Sequence, residues 1–157
     1  DCGPNKLYQW PSLRALGGIR TLKTLALESW KSENLSDLAG CTHIEHLSVG
    51  GAYLRSLLGV EVCQCLTTLK VKCTQKLEDI TALRACQNLN TLSLPNARRI
   101  ASENGQPSIQ KCTGLMRINV SQASASFVST GLQGCCALVD ISCAGVTKMV
   151  DVNWIQS

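Results

Sequence analysis

The chain has 157 residues, 45% of them apolar but only 4% aromatic, so length and composition predict one domain with an aliphatic core. Its 15 Lys and Arg and 11 Asp and Glu give a net charge of +4 without a run of basic residues, which argues against nucleic acid as a partner. No stretch approaches the roughly twenty apolar residues that a membrane span requires, so the sequence predicts no span.

One motif occurs six times along the chain. Each copy starts with Cys or, in the first copy, Ile, and has apolar residues three, six and eight positions later, as in Cys86, Leu89, Leu92 and Leu94. We call the starting position the slot. Because side chains alternate between the two sides of a strand, the final step of two residues predicts a short strand with both apolar residues facing inward. The slots lie 22 to 26 residues apart, at Ile19, Cys41, Cys63, Cys86, Cys112 and Cys135.

Apolar residues spaced three apart lead into the slots, as Leu77, Ile80 and Leu83 lead into Cys86. A period of about 3.0 residues keeps such a row on one face of a 3₁₀ helix, whereas an α-helix would rotate it from the core toward solvent. The sequence therefore predicts short 3₁₀ or irregular segments before the slots. Earlier copies have Leu7, Trp10, Leu13 and Leu16, then Leu35 and Leu38, then Leu54, Leu57 and Val60.

Each copy thus combines a strand with a return segment, and neither half can bury its apolar row alone. Stacked copies cover one another, so we expect parallel strands in one curved sheet, with the return segments on its convex side. Residues 1–157 would form one domain of about six repeats. We interpret neither end as a polar cap. At the C-terminal end, the spacing of Met149, Val152 and Ile155 predicts a further slot residue after Ser157. We therefore expect a longer chain, or end-to-end contact with another subunit through an uncapped end.

The motif Cys-x-x-Leu-x-x-Leu-x-Leu resembles that of the leucine-rich repeat family, over residues 7–155. This resemblance implies an α/β solenoid: a right-handed superhelix with a parallel β-sheet on the concave face and short 3₁₀ or irregular segments on the convex face. The repeat length is similar to that of the 3₁₀-backed subclass, and the slot cysteine to that of the cysteine-containing subclass. Leu77–Leu83 is similar to repeat proteins of kinetoplastid parasites.

The chain departs from the family three residues after the last inward residue of each strand. The family usually has Asn or Cys there, and its side chain binds the neighbouring backbone. We therefore expect no side-chain ladder, and turn geometry or water must satisfy those backbone groups. The positions hold Trp30, Ala52, Thr74, Ala97, Ala123 and Val146.

The longest step between slots, from Cys86 to Cys112, contains an insertion at residues 98–107. Gly105 and Pro107 predict a surface loop there. We interpret it as a tolerated bulge, with a binding loop as the alternative.

The slot cysteines share their position with Ile19, which indicates that they act as small buried hydrophobes. Cys143, at an inward strand position, is interpreted in the same way. Unpaired thiols are typical of reducing compartments, so the sequence predicts an intracellular, cytoplasmic protein. Sequons at Asn34 and Asn119 leave a secreted or cell-surface protein as the alternative. The cysteines outside the pattern are candidates for exposed thiols: Cys2, Cys65, Cys73 and Cys136.

A catalytic or metal site has little support in the sequence. His43 and Cys65 occupy equivalent positions of adjacent repeats, about 5 Å apart across the predicted sheet, and His46 is close by. Such neighbours could activate a thiolate or begin a metal site. However, no third or fourth ligand follows at metal spacing, and no phosphate loop or nucleophile motif occurs. We expect no enzyme, metal or cofactor.

The outward strand residues predict a binding face. They form three columns with one residue per strand, mostly small and polar, with a basic spot at Lys70, Lys72 and Arg117. The resemblance places a partner on this concave face and implies a protein–protein interaction scaffold that binds another protein. Trp30 is a candidate anchor or a core residue. The predicted binding residues are His46, Thr68, Lys70, Lys72, Thr91, Ser93, Arg117, Asn119 and Asp140.

Two alternative functions stay open. A ligand-recognition ectodomain of a surface protein would carry glycan on Asn34 or Asn119. A nucleic-acid-associated subunit would use Lys70, Lys72 and Arg117, and its binding would weaken steeply with salt.

Overall fold

The computed structural model describes residues 13–100, 109, 112–132 and 134–146. The predictions for Cys2, Leu7, Trp10, residues 101–107 of the insertion and the segment from Met149 to Ile155 lie outside these residues. Six short parallel strands form one open sheet in the order β1 to β6, as the stacked motif predicts. The strands are β1 (Thr24–Leu27), β2 (His46–Val49), β3 (Thr68–Val71), β4 (Thr91–Ser93), β5 (Arg117–Asn119) and β6 (Asp140–Ser142).

The register of the sheet joins equivalent residues of successive repeats. Leu25 is opposite Leu47, which is opposite Leu69, and the same inward position continues through β4 to β6. A shift of one residue would turn the inward leucines of a strand to solvent, so the burial of these residues fixes the register. The strands and their parallel pairing predicted from the motif are therefore confirmed.

Short 3₁₀ helices precede four of the strands, as the spacing of three predicts, but the segment before Cys135 is different. There α1 (Ala125–Gly131) is an α-helix, and the prediction of a 3₁₀ or irregular segment is wrong. Ser124 caps this helix by accepting a hydrogen bond from the Phe127 N–H. Val128 and Leu132, four residues apart, are both buried, which fits an α-helical period. The 3₁₀ helices are Leu13–Gly18, Ser36–Leu38, Val60–Val62 and Thr81–Ala85.

The core is an aliphatic column between the sheet and the return segments. Burying one leucine contributes about 1.5 to 3 kcal/mol, so repeated contacts between neighbouring repeats hold the stack together. Leu138, in the last described repeat, is only partly buried. The equivalent inward residues of the inner repeats are buried: Ile44, Leu66, Leu89 and Leu115.

The slot of the first repeat does not match the prediction. Ile19 is 46% exposed, whereas Cys63 and Cys86 are 0% and 1% exposed. Within the described residues only the following repeat packs beside Ile19, while each inner slot has a repeat on both sides. The interpretation of Ile19 as a buried residue is therefore wrong for this structure.

Where the family's side-chain ladder is missing, turn geometry satisfies backbone groups after β1, β4 and β5. Ser29, Asn96 and Gln122 adopt positive φ, which lets the turn direct backbone N–H groups at the next repeat. The N–H of Trp30 donates to the Gly50 carbonyl at 2.6 Å, and that of Asn96 to the Ser121 carbonyl at 2.7 Å. At the equivalent position of the third repeat a side chain also takes part, because the buried Thr74 hydroxyl donates to the Pro95 carbonyl.

Candidate functional site

The outward residues of the strands form the columns that the sequence predicts. The first column runs Thr24, His46, Thr68, Thr91, Arg117, Asp140, and the second Ala26, Ser48, Lys70, Ser93, Asn119, Ser142. Adjacent members are about 4.8 Å apart because they lie on hydrogen-bonded strands. The third column follows the strands and contains Glu28, Gly50 and Lys72. All nine predicted binding residues therefore share one face, the concave face.

Exposure on this face follows from strand alternation. Every second strand residue enters the core, so the residues between them reach solvent. Lys70, Arg117 and Asp140 are exposed, whereas Thr91 and Ser93 are half-buried between their neighbours. The centre of the face is thus formed by short polar side chains, and longer charged side chains surround it.

The predicted basic spot is divided by an ion pair. Lys72 pairs with Glu28, although the two residues belong to the first and third repeats. Gly50 lies between them and makes room, because a Cβ there would lie 3.0 Å from Glu28 Oε2. Among the described residues Lys70 and Arg117 form no ion pair, although Asp140 lies beside Arg117 on the next strand.

The edge where the strands begin changes from charged to apolar along the stack. At one end Lys23 lies 2.7 Å from Glu45, and this hydrogen bond raises the pKa of Lys23 and lowers the pKa of Glu45. At the other end Met116 and Val139 are 37% and 70% exposed. They are neighbours, because the Val139 N–H donates to the Met116 carbonyl at 2.9 Å. The sequence prediction missed this pair, which precedes two strands at a position without a common residue type.

Trp30 does not provide an anchor on the concave face. Its side chain is 8% exposed, and its indole N–H donates to the Asn34 carbonyl at 2.9 Å. The structure supports the second interpretation of Trp30, as a core residue.

The slot cysteines have the surroundings of structural thiols. Burial raises the pKa of Cys63, Cys86 and Cys112 to about 12, so these thiols stay protonated near neutral pH. The Cys112 Sγ lies 3.4 Å from the Leu83 carbonyl oxygen of the preceding repeat, as a weak donor would. Equivalent contacts join Cys86 to Val60 at 3.8 Å and Cys135 to Ile109 at 3.6 Å.

The remaining cysteines differ in their exposure. Cys65 and Cys136 are exposed, as predicted, whereas Cys73 is only partly so, and Cys143 is partly rather than fully buried. Among the described residues, no three His, Cys, Asp or Glu side chains lie close enough together to hold a metal ion. In the same part of the chain, no helix is both long and apolar enough to cross a membrane.

Comparisons with known proteins bear on the fold. No family model and no curated protein matches the sequence. Internalin C2 of Listeria monocytogenes is 22% identical over 69% of this chain and 55% of that chain, with a TM-score of 0.53. Internalins are leucine-rich repeat proteins. The fold is a leucine-rich repeat solenoid.

A second internalin of the same organism, inlF, is 15% identical over 87% of this chain and 46% of that chain, with a TM-score of 0.49. The chain thus spans about half the length of these two solved structures.

Proposed function

We propose that this chain is a protein-interaction scaffold that binds another protein on its concave face. The observation that carries the proposal is the register of the sheet, which sets equivalent outward residues of six repeats side by side. The inward residues are used in the core, so the outward columns are free to contact a partner. A surface that is continuous over about six strands and polar at its centre suits a hydrated protein contact.

Lys70 and Arg117 set the electrostatic character of this contact. Both are exposed, and they lie in adjacent columns two strands apart. A partner that brings carboxylates to these two positions would gain charge-assisted hydrogen bonds. Asp140 lies beside Arg117 and favours a basic group on the partner next to those carboxylates. Such alternation determines the orientation of a partner more than its affinity.

Affinity capture with quantitative mass spectrometry tests this function. Lys70→Glu and Arg117→Glu each reverse one charge on the concave face, and Arg20→Glu makes the same change outside the columns. We expect the captured partner to fall about tenfold with either concave variant and to stay unchanged with Arg20→Glu. Equal capture by all three variants, with thermal unfolding unchanged, would rule out the concave face.

A nucleic-acid-associated subunit is the second candidate. The Glu28 carboxylate argues against this function, because it forms an ion pair with Lys72, one of the three cations that would contact the nucleic acid. Binding to single-stranded or duplex oligonucleotides that weakens steeply between low and physiological salt would favour this candidate over a protein partner.

We also propose a non-catalytic role in a reducing, cytoplasmic compartment. The support is the burial of the slot thiols, which leaves them protonated and without a nucleophilic role. Glycan on Asn34 or Asn119 in the native protein would contradict this setting and favour the ligand-recognition ectodomain. The narrower likeness to kinetoplastid repeat proteins and to the cysteine-containing subclass stays a prediction.

A further inference from the structure

Exposed side chains on the turns after β1 to β4 form a row outside the concave columns. Each turn belongs to a different repeat, so the row crosses the stack in the same direction as the sheet. Adjacent repeats are about 5 Å apart, and the row therefore spans about 15 Å. We call it the turn row; its members are Lys31, Tyr53, Gln75, Lys76, Arg98 and Arg99, all exposed.

The turn row carries an excess of positive charge. Two carboxylates beside the row, Glu33 and Glu78, form ion pairs with its cations and with the neighbouring Arg55: Arg55 lies 3.4 Å from Glu33 and 3.5 Å from Glu78, and Arg99 lies 3.1 Å from Glu78. Among the described residues of the row and its ion-pair partners, five cations and two carboxylates leave a net charge of +3. The five cations are Lys31, Arg55, Lys76, Arg98 and Arg99.

An exposed aromatic ring lies within this positive row. Tyr53 is 55% exposed, and the Lys76 ammonium nitrogen lies 5.1 Å from the centroid of its ring. This cation–π contact holds the ammonium group over the ring. Single-stranded nucleic acids bind through bases stacked on free ring faces, and here a cation competes for that face. A carboxylate approaching Lys76, in contrast, meets a positioned cation with an aromatic surface beside it.

We propose that the turn row binds an acidic, extended segment of a partner protein. A stretch of about five residues at about 3.3 Å each covers the length of the row. Arg98 now donates to the neutral Gln122 side-chain oxygen at 2.9 Å, and a carboxylate would replace this bond with a stronger charge-assisted one. The proposal is independent of binding on the concave face, because it uses different residues.

Fluorescence anisotropy with a labelled octaglutamate peptide tests the turn row. The double variant Lys76→Glu/Arg98→Glu reverses two cations of the row that form no ion pair among the described residues, and Lys70→Glu/Arg117→Glu makes the same charge change on the concave face. We expect the first variant to bind the peptide at least about tenfold more weakly, and the second to lose less than about threefold. An equal loss in both variants would show a general charge effect and overturn the proposal.

Variants of Tyr53 separate a protein segment from nucleic acid. We expect Tyr53→Phe to bind octaglutamate like the native chain, and Tyr53→Ala to bind it several-fold more weakly because the ammonium group loses its support. Octathymidylate binding that is tighter than octaglutamate binding and is lost in Tyr53→Ala would overturn the proposal in favour of nucleic acid. If the charge reversals lower the unfolding temperature, Lys76→Gln/Arg98→Gln replaces them, with the same peptide readout deciding.

Discussion

The inner repeats and the outer repeats carry the same motif but bury it to different extents. In β3 and β4 the inward residues Leu69 and Leu92 are fully buried, whereas Leu25 in β1 and Ile141 in β6 are only partly buried. The residue types are alike, but among the described residues Leu25 and Ile141 have a repeat on one side only, whereas Leu69 and Leu92 have one on both sides. The stability of this fold therefore comes from the interfaces between repeats rather than from contacts within single repeats.

The largest loss of stability is expected for a substitution where two inner repeats approach each other closely. Gly59 has a φ of +106°, and a Cβ there would lie 2.1 Å from the Leu35 carbonyl oxygen of the preceding repeat. We expect Gly59→Ala to lower the free energy of unfolding by about 4 kcal/mol, from steric overlap and backbone strain together.

Gly18→Ala is the matched control in the first described repeat, because a Cβ there meets nothing within 4 Å. We expect it to change the free energy of unfolding by less than about 0.5 kcal/mol. Guanidinium chloride titration followed by circular dichroism measures both values. Similar losses in the two variants would contradict the close packing of the inner interface.

A smaller difference is expected for matched truncations of strand leucines. Leu92→Ala leaves a cavity with a repeat on either side, and we expect a loss of about 3 kcal/mol. Leu25→Ala removes a side chain that is already partly solvated, and we expect about 1 kcal/mol. The midpoints of denaturant unfolding give the comparison. Equal shifts would mean that the first repeat is covered as fully as the inner ones.

The repeat period predicts the strands and their register well, because one error in register would expose every inward leucine at once. It does not predict α1. A 3₁₀ helix has buried positions three residues apart and an α-helix has them four apart, and only the pair Val128 and Leu132 shows the longer spacing here. Nor does it predict the exposure of Ile19. A motif reports which residue is apolar, whereas burial depends on which repeat lies beside it.

The outward columns were predictable for the same reason as the strands, but the contacts between their side chains were not. Glu28 and Lys72 meet only because Gly50 leaves space between them, which depends on three repeats together. The turn after β2 has one residue between Ala52 and Leu54, whereas the turn after β3 has two residues between Thr74 and Leu77. Tyr53 and Lys76 are in contact although these turns differ in length. Where the turn length changes, counting from the motif no longer says which side chains are neighbours.

Labelling of individual cysteines in the native protein tests the stacked arrangement most directly. Cys63 and Cys65 are two residues apart, yet Cys63 is buried between repeats with a pKa raised to about 12, and Cys65 is exposed. With a maleimide near neutral pH and a mass-spectrometric readout, we expect Cys65 to react on the order of a thousandfold faster than Cys63, which must wait for unfolding. Comparable rates for the two thiols in the folded protein would contradict the inward orientation of the slots, and with it the concave face.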